Sequence, residues 1–368
     1  MSTAKSEDLP EAPPGRRKGS PPRVRRVLVI GGAGYVGSVL VRQLLERGYR
    51  VTLMDALLYG DEGIRDLLDD PRVTVVRGDL RNLEAVVAAA RHSQAVVHLG
   101  ALVGDPACNL EERLAVEINL EATRSVAAVA RGLGIRRFVF ASTCSVYGAS
   151  ENLLDEASPL APVSLYARTK MESERLLISM NGGNFAPVVL RFGTFYGASP
   201  RPRFDLVVNL LAAKAVTEGA ITVFGGNQWR PFLHVEDGAE AIVACLEVPE
   251  SLVAYQVFNV GSDEQNYTMG QVAEIISATV PGARVQIESP SAVEANYRVS
   301  FERIRTALGF RTRRTIAEAV AEIKDSILSG RIHDYTEAQY SNVKALADGE
   351  TARDLEADKS KTLATSGA

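Results

Sequence analysis

The stretch RRVLVIGGAGYVGSVLVRQLLERG, from Arg25 to Gly48, limits the fold more than any other part of the chain. Val27 to Ile30 are apolar without a break, and a strand lacking polar alternation belongs in a sheet covered on both faces. Gly31, Gly34 and Gly37 follow at once as G-x-x-G-x-x-G, and apolar residues then recur at helical period. In a strand–turn–helix unit such glycines permit a tight turn, close approach of backbone to a pyrophosphate and close helix packing, while the helix N-terminus faces the negative charge. Gly31, Gly34, Tyr35, Val36 and Gly37 are therefore expected to form a dinucleotide-binding turn; the alternative is glycines that serve packing alone.

The pattern repeats. YRVTLMD, RVTVVRGD, QAVVHLG, RRFVFAST and APVVLRF are further short β-rich runs, and NLEAVVAAAR, VEINLEATRSVAAVARGLG and YARTKMESERLLISMN read as helices among them. This alternation predicts an α/β fold, a Rossmann-like doubly wound parallel sheet over residues 24–192. After Phe192 the rhythm breaks into the turn-rich GTFYGASPRPRFD, a helical LVVNLLAAKAVTEG and a strand AITVFGG. HVEDGAEAIVACLE and YQVFNVG then read as a sheet-covering helix and a strand, so residues 232–262 are expected to return to the first domain. Residues 193–231 and 263–345 are left for a smaller, partly interleaved C-terminal substrate domain. The proline-rich, charged residues 1–23 read as a disordered extension, and residues 346–368 as a flexible tail.

With 368 residues, 46% of them hydrophobic, the chain can bury one large core or a main domain with a satellite. A formal charge of -4 gives no support for nucleic-acid binding. The longest apolar runs are of strand length, which gives no membrane span. Cys108, Cys144 and Cys245 are too few and scattered for a disulfide framework or a structural zinc site, and point to a reducing compartment, the cytoplasm. No metal cluster is apparent, and His98 and His234 read as core histidines.

Asp55 ends the second strand. A carboxylate there accepts hydrogen bonds from both hydroxyls of an adenosine ribose and repels a 2′-phosphate, which favours NAD over NADP; the alternative is an aspartate that opens the next loop. Asp79 and Leu80 in RGDLRN, and Leu99, Gly100 and Ala101, end later strands on the same side and are expected at the cofactor. An Asp at a strand end also serves as a helix cap. Asn119, disfavoured within a helix, either holds a neighbouring backbone or faces solvent.

Taken in order, GGAGYVG, GDL, VVHLGA, STCSVYG, YARTK and RPFLHVEDGAEA resemble the extended short-chain dehydrogenase/reductase family, in its NAD-dependent nucleotide-sugar epimerase/dehydratase branch. The resemblance covers about Val24 to Gly330. It implies a Rossmann domain that binds NAD, a smaller domain that binds a nucleoside-diphosphate sugar, and a homodimer paired through helices near residues 111–131 and 164–180. The residues themselves support the catalytic group. Tyr166 and Lys170 are four apart, on one face of a helix. A nearby ammonium and an oxidised nicotinamide both favour a tyrosinate, which takes the proton from a sugar hydroxyl while its carbon gives up hydride. Thr143 orients the substrate oxygen or Tyr166. The expected catalytic set is Thr143, Tyr166 and Lys170, with the last two also touching NAD.

Dehydratases of this family resemble one another in following that Thr with an Asp-Glu pair, which removes the C5 proton and protonates the departing 6-hydroxyl. Here Cys144 and Ser145 stand in those places. Serine is no strong base without an activating partner, and Cys144 acts as acid or base only with a lowered pKa; its simpler role is a small residue under the sugar. The expectation is a 4-epimerase, with a 4-ketoreductase as the alternative. An atypical dehydratase is less favoured, and a non-enzymatic NAD-binding scaffold would not require Thr143, Tyr166 and Lys170 together. For substrate contacts the resemblance implies Thr194, where the family usually has Asn, Arg230 in NQWRPFLHVED, and Arg298 in place of an arginine usual near Val293. Arg201, Arg203 and Asn209 lie beside the expected nucleotide site, and arginines converging on a diphosphate are physically sensible. For Arg201 and Arg230 the alternative is an ordinary surface arginine.

Overall fold

The structure, a computed structural model, describes residues 25–180, 182, 184–289 and 296–347. Seven parallel strands make the main sheet: β1 (Arg26–Ile30), β2 (Arg50–Asp55), β3 (Val73–Arg77), β4 (Ala95–His98), β5 (Arg137–Thr143), β6 (Ala186–Phe192) and β7 (Val257–Val260). Their order is β7-β6-β5-β4-β1-β2-β3. β1 runs between β2 and β4, with Val27 opposite both Val51 and Ala95. The chain winds outward through β2 and β3, then restarts on the other side of β1. Ligands of such sheets bind beyond the strand C-termini at this reversal.

Side chains of β1 alternate between two cores. Val27 and Val29 pack in one cluster with Leu40, Leu44 and Ile242. Leu28 and Ile30 pack in the other with Val86, Val126 and Phe138. Both faces are covered, which is why the strand shows no polar alternation, and each such side chain contributes roughly 1.5–3 kcal/mol on burial. The helices Tyr35–Glu46 and Val235–Glu247 cover the first face. Leu83–Ala90, Thr123–Gly132 and Leu165–Ser179 contribute to the second.

A third cluster, including Val208, Leu211, Phe232, Val272 and Ile323, forms a separate core after β6. It joins the helices Val207–Glu218, Met269–Thr279 and Ile316–Leu328. Capping boxes, Thr268 with Gln271 and Thr315 with Glu318, set the starts of the last two. Short strands flank this core, among them Thr194–Tyr196 and Asn266–Thr268 on either side of Trp229–His234.

One boundary differs from expectation. Leu346 does not open a loose tail; it is buried, in the helix Asn342–Ala347 that packs on Asp105–Leu110. The polar average of the C-terminal stretch hid this single amphipathic turn. The extension 1–23, the tail beyond Ala347 and Val293 lie outside the described residues. Among the described residues no helix is long and apolar enough to cross a membrane.

Candidate active site

A cavity of about 410 Å³ opens at the strand reversal. Gly31 enters it at φ +79°, and a Cβ there would lie 2.7 Å from the Gly100 backbone nitrogen. Both facts call for glycine. At Gly37 a Cβ would sit 2.1 Å from Gly31 O, so the first helical turn presses directly on the strand end. Gly34 is different: a Cβ would meet only Gly31 O, at 3.3 Å, and otherwise open space. That space suits a pyrophosphate laid over the turn. Gly31, Gly34, Tyr35, Val36 and Gly37 all line the cavity, as do Leu80, Leu99, Gly100 and Ala101.

Asp55 sits at the end of β2 and accepts from two backbone donors, Ala33 N at 3.0 Å and Leu57 N at 2.9 Å. Leu57 itself has φ +56°, an uncommon conformation for leucine. Burial raises the Asp55 pKa in spite of these bonds. Each oxygen still has accepting capacity for a ribose hydroxyl. Asp79 also lines the cavity, but its carboxylate is held by Arg81, whose side chain donates at 2.7 Å and whose backbone N donates at 2.8 Å.

At the other end, Thr143 Oγ1 accepts from Ser145 N and donates to Ser145 Oγ, both at 3.1 Å. Tyr166 and Lys170 stand on the helix Leu165–Ser179, started by Ser164, whose hydroxyl accepts from Ala167 N. Lys170 Nζ donates to Ala141 O at 2.9 Å and lies 6.0 Å from the centre of the Tyr166 ring. Burial brings the Lys170 pKa down to about 8. Burial also pushes the Tyr166 phenol above its ordinary value. Desolvation thus works against the tyrosinate, whereas the ammonium and the oxidised nicotinamide of the expectation work for it.

Behind β5 runs a buried network. Ser142 donates to Glu174, and Arg191 donates to Glu174 at 2.7 Å and to Tyr147 at 2.9 Å. Tyr147 in turn donates to Asn259 at 2.7 Å. These bonds tie the helix of Tyr166 and Lys170 to β5, β6 and β7. Cys144 faces this side. It is fully buried, its thiol donates to Arg191 O at 3.3 Å, and burial pushes its pKa up. Cys144 thus does not line the cavity, contrary to its expected place under the sugar. The tight 3-10 turn Cys144–Tyr147 sends its side chain inward, while Ser145 lines the cavity.

Of the other expected substrate residues, Thr194, Arg201 and Arg203 line the cavity, whereas Asn209, Arg230 and Arg298 do not. Asn209 is buried and braces the preceding loop, accepting from Gly197 N and donating to Arg203 O, both at 2.9 Å. Arg230 stacks on the ring of Tyr297 at 5.6 Å. Arg298 is exposed over Trp229, one pleat away from the cavity-lining Tyr297. Tyr297, which precedes Arg298 in the same motif, carries no sequence signal of its own; it is buried and lines the cavity. Asn119 lies in a π-helical turn and pins the loop after β4, accepting from Leu102 N at 2.8 Å and donating to Leu102 O at 2.9 Å. Its backbone-holding alternative is the one observed. His98 is a buried core residue bonded to Thr123, and burial lowers its pKa to about 3. Among the described residues no group of three or more His, Cys, Asp or Glu is placed to hold a metal ion.

Comparison with known proteins decides the family. Residues 27–261 match the NAD dependent epimerase/dehydratase family. The chain belongs to that family. It is 31% identical over 252 residues to a protein of Bacillus subtilis (strain 168) named uncharacterized UDP-glucose epimerase YtcB, a match covering 65% of this chain and 78% of that one. It is 28% identical over 310 residues to a dTDP-glucose 4,6-dehydratase of Streptomyces niveus, covering 81% and 91%. The UDP-glucose 4-epimerase of Thermus thermophilus in complex with NAD superposes with a TM-score of 0.71 at 28% identity, over 82% of this chain and 98% of that chain. The protein is therefore an NAD-dependent enzyme of the nucleotide-sugar epimerase/dehydratase branch of the extended short-chain dehydrogenases/reductases. NAD fits the residues present: an open step at Gly34, a carboxylate with accepting capacity left at Asp55 and a cavity between them and Tyr166.

Proposed function

We propose that the protein is a nucleoside-diphosphate-sugar 4-epimerase. One observation carries this reading: the two positions after Thr143 hold a thiol buried against Arg191 O and a hydroxyl, in place of a dehydratase's carboxylates. Among the described residues four aspartates line the cavity. Asp55 and Asp79 serve the cofactor end, and Asp205 is paired with Arg203. Asp105, exposed on the rim, remains as the one carboxylate near the sugar end.

When bound, NAD accepts hydride from a sugar carbon and returns it. The chain supplies the proton chemistry and the positioning. Tyr166 takes the proton of the 4-hydroxyl and later returns one to the 4-keto oxygen. Lys170 stabilises the charge that Tyr166 then carries, and Thr143, fixed by Ser145, holds the same oxygen. Inversion requires the keto ring to turn over inside the cavity, so the substrate is gripped by its diphosphate end, for which Thr194 is our candidate, Arg203 being paired with Asp205. The same reading includes a homodimer paired through the helices of residues 112–132 and 165–179. Their exposed Glu121–Arg124 and Glu172–Arg175 pairs would make it a polar contact. A single-chain mass in light scattering would remove that part. Three free thiols support a cytoplasmic location.

The test is incubation of the purified protein with UDP-, dTDP- and GDP-sugars without added reductant, read by NMR and mass spectrometry. A changed configuration at C4 with unchanged mass is expected. Loss of the mass of water would show a dehydratase, and loss of that product in Asp105→Asn would name its acid/base group. Turnover only of a ketosugar, and only with NADH, would make it a ketoreductase.

A further inference from the structure

Arg201 carries a charge that no described side chain answers with a hydrogen bond. It is 4% exposed, lines the cavity, and its Nε and Nη2 have no hydrogen-bond partner. Buried donors are nearly always paired, and an unpaired buried cation is costly. Its neighbours are committed elsewhere. Arg203 is neutralised by Asp205 through two bonds at 2.9 Å. Asp55 attracts Arg201 at a distance, but its oxygens accept from Ala33 N and Leu57 N. What touches the guanidinium is the ring of Tyr59, with its centre 4.2 Å from Cζ. Stacking of this kind orients a flat cation while leaving its N–H groups free. Desolvation lowers the Arg201 pKa to about 10, so it stays charged at neutral pH.

The segment bearing Arg201 is docked on the glycine turn. Ser199 Oγ donates to Tyr35 O at 2.7 Å and lies 3.1 Å from Ser38 Oγ. A Cβ on Gly63 would lie 2.9 Å from Arg201 Cβ and 3.0 Å from Ala33 O, so the arginine backbone and the turn are packed through that glycine. We propose that Arg201 binds the pyrophosphate of the dinucleotide, not that of the sugar nucleotide, and with Tyr59 clamps the adenosine half of NAD. The inference rests on the NAD site and not on the sugar chemistry proposed above. A dianionic pyrophosphate over the turn gives the guanidinium the partners it lacks, in the paired geometry arginine favours. The clamp spans the two lobes, since Tyr59 follows β2 and Arg201 follows β6. A cofactor held this way is retained between turnovers.

Isothermal titration of cofactor-freed protein with NAD, ADP and nicotinamide mononucleotide tests this. Arg201→Gln is expected to raise the Kd of NAD and ADP about 10- to 100-fold, with nicotinamide mononucleotide changed less than about twofold. Arg201→Lys, which keeps the charge and loses the fork, should fall between. Unchanged mononucleotide binding also reports that the variant is folded. Should Arg201→Gln not fold, Tyr59→Leu unseats the guanidinium without deleting it and should weaken ADP about threefold or more. Unchanged NAD and ADP affinity, with UDP bound more weakly by the NAD-loaded variant, would place Arg201 on the sugar nucleotide and overturn the proposal. So would a wild-type preference for NADP over NAD that Arg201→Gln abolishes, since the contact would then be a 2′-phosphate.

Discussion

Replacing Lys170 by Met should make the cofactor-free protein more stable while destroying its chemistry. Lys170 is 3% exposed, and its pKa falls from 10.5 to about 8 through burial. That drop means the charged amine is about 3 kcal/mol less favourable in the fold than in the unfolded chain. Between pH 8 and 10.5 the unfolded chain binds more protons than the folded one, so wild-type stability rises with pH across this window. The full cost is present below about pH 8 and is gone above 10.5. Methionine has a similar unbranched length and no charge. It also forfeits the hydrogen bond from Nζ to Ala141 O, worth about 1 kcal/mol. The net expectation is a variant about 2 kcal/mol more stable at pH 7, with an advantage that shrinks steadily toward pH 10. Urea unfolding of both proteins from pH 6.5 to 10 measures it, and taking the difference cancels the tyrosines and other shared groups. A variant less stable at pH 7, or a difference that does not vary with pH, would refute the reasoning. Turnover should fall at least about 100-fold, the scale of a lost acid–base partner.

Three further outcomes follow from the same geometry. Tyr166→Phe should keep NAD affinity within about threefold while turnover drops roughly 10²- to 10⁴-fold; an unaltered rate would remove the proposed proton transfer. Gly37→Ala puts a Cβ 2.1 Å from Gly31 O, so the turn must open; the cost should be about 1–3 kcal/mol in denaturant unfolding, with NAD binding weakened more than about tenfold, and a variant that binds NAD normally would contradict the close packing. Cys144→Ala deletes a buried thiol bonded to Arg191 O, which should cost about 1 kcal/mol and leave the product unchanged; a tenfold loss of turnover would return Cys144 to the reaction.

The parts of this site legible in the sequence are those where local pattern determines position. A strand buried on both faces, followed by glycines, can hardly place Gly31, Gly34 and Asp55 elsewhere, because strand ends and helix starts converge at the reversal. Tyr166 and Lys170 are legible for the same reason, as a helical spacing sets their common face. Side-chain direction in short irregular pieces is not legible. Thr143, Cys144 and Ser145 are consecutive, yet the 3-10 turn sends Cys144 into the core and leaves its neighbours on the cavity. In the two-residue strand Arg298–Val299 the pleat sends Arg298 to solvent, while Tyr297 just before it lines the cavity. The desolvation that raises the Tyr166 pKa is hidden as well, because charge partners are visible in a sequence and burial is not.

Arg201 and Arg203 show the same limit from the other side. Two residues apart in one basic loop, they look equivalent as phosphate ligands, and both do line the cavity. What separates them is a carboxylate two positions further on: Asp205 neutralises Arg203, and the ring of Tyr59, from a segment more than a hundred residues away, takes Arg201 without neutralising it. A binding site for an anion is defined by the charge left over after the fold has made its own pairs. By that measure the sequence shows two candidate cations at this place, and the packed chain leaves one of them, beside the glycine turn, with two guanidinium nitrogens that no hydrogen bond answers.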